Sequence, residues 1–86
     1  MPEICRFFGI VISMYYAEHD PPHFHARYNG FKAAIRIRDL ALADGMLPSR
    51  AMGLVLEWAA LHQEELLADW DLARSHQTLL KIAPLE

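Results

Sequence analysis

A chain of 86 residues has room for one hydrophobic core and no second domain, and 53% hydrophobic residues with only 4 Gly and 5 Pro exclude a disordered tail. A formal net charge of −3 argues against a generic nucleic-acid coat. Cys5 is the single cysteine and has no intramolecular partner, which excludes the disulfide-stapled scaffold of small secreted domains.

Residues 6–16, RFFGIVISMYY, are rich in aromatic and β-branched types and short for a helix, so they are expected to form one mostly buried strand, with Gly9 as a bulge. The run is well below the roughly 20 apolar residues that a bilayer span requires, and Arg6 stands in front of it. No small-residue cleavage pattern follows, so no secretory signal is expected and the cytoplasm is the expected location. The next segment, AEHDPPHF, holds two consecutive prolines, which deny a helix and predict a loop.

The clearest local signal is HFHARY-NG-FKAAIRIR, two alternating runs joined by Asn29-Gly30, a pair suited to the two positive φ values of a type I′ turn. That turn sets the register, with Tyr28 opposite Phe31, Arg27 opposite Lys32, His25 opposite Ala34 and His23 opposite Arg36. One face then carries Phe24, Ala26, Tyr28, Phe31, Ala33, Ile35 and Ile37, the expected core face. The other carries His23, His25, Arg27, Lys32, Ala34, Arg36 and Arg38.

A loop through Asp44-Gly45 is expected to lead to a helix opened by Pro48 and Ser49. Met52, Val55, Ala59, His62, Leu66, Trp70 and Ala73 fall on one helical stripe, widened by Leu54, Trp58 and Leu61. The pattern over 49–75 fits one helix or two meeting near His62. The closing TLLKIAPLE is expected to add a short edge strand ended by Pro84. The whole, 1–86, is thus expected to be a single α+β domain, with an antiparallel sheet of three to four strands packed against one long or two consecutive amphipathic helices. Charge divides along it. Arg27, Lys32, Arg36 and Arg38 stand without an acid between Pro21 and Arg38, while Glu57, Glu64, Glu65, Asp69 and Asp71 stand without Lys or Arg between Ala51 and Ala73.

With FFGIVISMYYAEHDPPHFHARYNG, LPSRAMGLVLEWAALHQEELLADW and KIAPLE in view, the chain closely resembles, nearly end to end, a family of small bacterial proteins, the domain-of-unknown-function family numbered 4160. The most distinctive part is HDPPHFHARY, with two prolines and three histidines within seven residues. The resemblance implies no established activity. It does imply a protein partner, because members often look like one half of a two-gene module of the toxin–antitoxin kind. Two positions depart from the family pattern. Glu18 stands where Asp is usual and keeps the carboxylate, whereas Gly53 stands where a long polar or basic side chain is common and costs about 1 kcal/mol of helix propensity relative to Ala.

Three chemistries compete for the histidine face. His23 and His25 lie two apart on a strand and point the same way, with His19 and Asp20 close in sequence, a donor set that suits Zn²⁺. The spacing matches no established metal signature and four basic side chains stand nearby, so no metal and no other cofactor is expected. In a ribonuclease, His23 and His25 would exchange protons while Arg27, Lys32 and Arg36 hold the phosphate. The expected function is recognition without chemistry. His19, Asp20, Arg27, Lys32, Arg36 and Arg38 would be the binding residues and a small protein encoded nearby the partner, with RNA and a second copy of the chain as lesser alternatives. Trp58 and Trp70 are expected in packing, His62 as a satisfied buried histidine, and Tyr15 and Tyr16 within the sheet. No Gly-rich phosphate loop, Cys-based metal pattern or nucleophile motif is present, which argues against kinase, nucleotide-binding and serine-hydrolase functions.

Overall fold

A computed structural model describes residues 2–86. Five strands, β1 (Glu3–Phe7), β2 (Ile10–Ser13), β3 (His23–Tyr28), β4 (Phe31–Arg36) and β5 (Leu42–Gly45), form one antiparallel sheet in sequential order. Two helices follow, α1 (Ser49–Leu61) and α2 (Gln63–Arg74). The α+β class holds, but the sheet has five strands rather than three or four.

The extra strands arise at two places. Residues 6–16 are not one strand, because Phe8 and Gly9, with φ of 49° and 79°, turn the chain back and pair Phe7 with Ile10. Both central residues have positive φ, the backbone of a type I′ hairpin, so Gly9 is a turn residue and not a bulge. Tyr15 and Tyr16 lie beyond the end of β2 and are exposed. The second place is Leu42–Gly45, expected as a loop, which pairs with β4 through an irregularity between Ala34 and Ile35. Gly45 makes that approach feasible. At φ +72° a Cβ there would lie 2.2 Å from the Lys32 carbonyl oxygen, so only glycine fits.

The Asn29-Gly30 hairpin has the expected register at every pair, from His23–Arg36 to Tyr28–Phe31. Phe24, Ala26, Ala33, Ile35 and Ile37 are buried as its core face, whereas Phe31, next to the turn, is exposed. The helices cover this face. Trp58 of α1 is fully buried between the rings of Phe7 and Phe24, with ring centroids 5.5 and 5.9 Å away.

The stripe over 49–75 is carried by two helices. At His62 the chain takes φ −127° and ψ 24°, which ends α1, and the next turn starts α2. The His62 ring packs on Trp58, and its Nδ1 is hydrogen-bonded to the Glu65 carboxylate. The Gln63 amide Nε2 donates to the Ile37 carbonyl at 2.8 Å and ties the junction to the residue that follows β4. Leu61, expected on the stripe, is exposed. Pro48 and Ser49 do open α1, without a side-chain cap.

The closing segment is not a strand. Its backbone contact with the sheet is the hydrogen bond from Ile82 N to Ile4 O, supported by donation from Trp58 Nε1 to Ala83 O at 2.8 Å and from Leu80 N to Asp69 Oδ1 at 2.9 Å. Asp69 is buried, and nothing among the described residues reaches its Oδ2. Burial pushes its carboxyl above the ordinary aspartate value, the Leu80 bond pulls it back, and Glu65 adds to the rise.

A raised folded value means that the stability contributed by neutral Asp69 is complete below the unfolded value near 3.8 and is lost as pH rises through the folded value. Asp69→Asn removes the charge and retains an acceptor for Leu80. In urea denaturation across the acid range, the Asn variant should therefore gain stability relative to the parent as pH rises. Parallel pH profiles would assign the slope to other groups.

Candidate functional site

The β2–β3 loop runs from Met14 to Pro22 under restraint from three sides. Ala17 N donates to Ala73 O of α2 at 3.4 Å, Asp20 pairs with Arg74 at 3.1 Å, and Ile37 N donates to Pro22 O at 3.0 Å. Two prolines exclude helix, and the loop turns at Tyr16 and Ala17 and bends at Asp20 and Pro21, which sets Glu18 over the start of β3.

There Glu18 meets the two histidines. Its Oε1 lies 3.0 Å from His25 Nε2 and 3.6 Å from His23 Nε2, and one donor atom from each of the three residues falls within 4.8 Å of the others. On its far side His23 Nδ1 lies 2.9 Å from the Pro21 carbonyl, so that nitrogen carries the proton and donates. The His23 ring leans on Trp70 at 5.2 Å, and the edge of Tyr15 meets the His25 ring at 4.4 Å. All three residues are half-buried. Ala34, opposite His25, gives the shallow depression a low floor, and Asp44 of β5 borders it.

The other expected site residues disperse. His19 and Asp20 stand at the rim, Asp20 occupied by Arg74. Arg36 is held by Asp39 through two hydrogen bonds, of 3.1 and 2.7 Å. Arg38 is exposed beyond the end of β4. Arg27 and Lys32 lie at the opposite end of the hairpin, facing each other across β3 and β4, with no ion-pair partner among the described residues. The four basic residues thus do not form one patch.

Glu18 is the site residue the sequence reading gave no role. Its signal was faint, a carboxylate seven residues before His25 across two prolines, and only the tethered loop makes it a neighbour of the imidazoles.

Residues 9–71 match the family model described as Domain of unknown function (DUF4160). The chain belongs to this family. In the DUF4160 match lie the loop, Glu18, both histidines and the Asn-Gly hairpin, while β1 and the closing segment fall outside it. No curated protein and no solved structure matches the chain.

Proposed function

We propose that this chain is a protein-interaction module, one component of a two-gene bacterial system of the toxin–antitoxin kind acting in the cytoplasm. It docks an acidic, partly apolar surface of its cognate small protein. The observation that carries this reading is at the end of the sheet where the β1–β2 and β3–β4 turns lie side by side. Phe8 is 59% and Phe31 39% exposed there, and Phe31 shares a shallow depression with Arg27 and Lys32, which have no ion-pair partner among the described residues. Beneath Phe8 is an apolar concavity of about 210 Å³ bordered by Tyr28, Pro48, Leu54 and Arg50. Aromatic anchors with Arg beside an apolar pocket are a typical composition of docking sites, and the positive charge favours an acidic partner.

Phe8 also occupies a position of positive φ, where Asn or Gly would suit the turn better. Phe8→Asn should therefore leave the domain as stable as before or more so, while weakening capture of the coexpressed neighbouring protein by about 10-fold or more. Reversing Arg27 and Lys32 to Glu should weaken it further at low salt than at high salt. Affinity unchanged by both sets of substitutions, measured by calorimetry, would refute the docking surface.

A ribonuclease is the weaker reading. The Glu18 carboxylate sits between the two imidazoles, where it repels a phosphate, and Arg36 is engaged by Asp39. Histidine-dependent RNA cleavage by the isolated chain would reverse this order of preference.

A further inference from the structure

We propose that Glu18, His23 and His25 form a binding site for one divalent transition-metal ion of the Zn²⁺ class. The site is at the end of the sheet remote from the hairpin turns and stands on observations independent of the docking surface.

Geometry is the first argument. With metal–ligand bonds of about 2.0–2.1 Å, donors around a tetrahedral ion lie roughly 3.3 Å apart. The two separations from Glu18 Oε1, 3.0 and 3.6 Å, bracket that value. One donor atom from each of the three residues, the two imidazoles included, lies within 4.8 Å of the other two.

The proton on His23 is the second. Because the Pro21 carbonyl can only accept, His23 Nδ1 donates to it, which leaves Nε2 as the ring atom that faces the Glu18 carboxylate and can ligate. Imidazole nitrogen facing carboxylate oxygen is a pairing that a bound metal ion satisfies, as a second ring proton does in its absence. A ligand imidazole whose other nitrogen donates to a backbone carbonyl is also the arrangement that fixes ring orientation in metal sites.

Preorganisation is the third. β3 pairs on both sides within the sheet, Trp70 backs the His23 ring, and the loop carrying Glu18 is tied to α2 through Ala17 and Asp20. The electrostatic objection raised by four nearby basic residues is weakened, since Asp39 neutralises Arg36, while Arg27 and Lys32 stand at the other end of the hairpin and Arg38, the one left at this end, is exposed to solvent beyond β4. Two imidazoles and one carboxylate select Zn²⁺, Co²⁺ or Ni²⁺ over Mg²⁺ and Ca²⁺. Partial exposure of all three ligands leaves a further coordination position open to water.

The test uses the full chain without a polyhistidine tag, stripped by chelator and titrated with Co²⁺ and then Zn²⁺. One equivalent of Co²⁺ should bind with visible d–d bands, be displaced by Zn²⁺ and resist displacement by Mg²⁺. Glu18→Gln and His25→Ala should each weaken Zn²⁺ binding by at least about 10-fold, the loss expected even for outer-shell changes. His19→Ala should leave it unchanged, with folding of each variant verified by circular dichroism. Absence of saturable Zn²⁺ binding below about 1 mM would overturn the proposal, leaving Glu18 as an ion-pair partner of the histidines. Binding that survives both the Glu18 and His25 substitutions would overturn it too. Partner capture is measured separately, so either conclusion stands or fails alone.

Discussion

Exchanging Phe24 and His25 should unfold most of the protein at room temperature. Phe24 is fully buried, pairs with Ile35 across the hairpin and meets Trp58 nearly edge-on, whereas His25, one residue later, is on the opposite face beside Tyr15 and Glu18. Removing a buried Phe costs about 3–5 kcal/mol, and the imidazole put in its place adds about 1–3 kcal/mol for a polar group buried without a partner. Together they reach about 4–8 kcal/mol, which consumes most or all of the about 5 kcal/mol at the low end of the range for natural domains, where a chain this short is expected. The single substitution His25→Phe should be far milder, because position 25 is half-buried and the core is left intact. Urea titration followed by circular dichroism checks both. An exchange variant with an unchanged midpoint would show that Phe24 does not face the core.

What the sequence disclosed depends on how local each signal is. Asn29-Gly30 has one low-energy use, and with alternation on both sides it specified the register of β3 and β4 residue by residue. The turn at Phe8-Gly9 has the same backbone but a bulky aromatic at its first position, which masked it. β5 has four residues, all exposed, so no buried face imposes alternation on it. The break at His62 was visible only as an ambiguity, since the apolar stripe runs through it and His62 and Gln63 carry no strong stop signal. In the site, the common direction of His23 and His25 follows from strand period alone. The placement of Glu18 depends on long-range ties such as Arg74 with Asp20, which no local pattern contains, whereas the Arg36–Asp39 pair and the distance of Arg27 and Lys32 from the histidines follow from nearby residues and the hairpin register.

Trp58→Ala should be the most damaging single substitution in α1. The indole is fully buried and joins four parts of the fold, touching Phe7 of β1, Phe24 of β3 and His62 at the helix junction, and donating from Nε1 to Ala83 O in the closing segment. Truncation leaves a cavity that two strands, a helix junction and the closing segment cannot readily collapse into, so the loss should approach the upper part of the about 3–5 kcal/mol seen for large aromatic truncations. Trp58→Phe separates packing from the hydrogen bond. It refills much of the space but leaves the Ala83 carbonyl without the indole donor, and that bond contributes about 1 kcal/mol when intact. Amide exchange distinguishes the two effects, because Trp58→Phe should speed exchange at Ile82 N, whose bond to Ile4 O holds the same segment, before it affects the β3–β4 hairpin. Equal acceleration at both places would mean that the closing segment is not latched through Trp58.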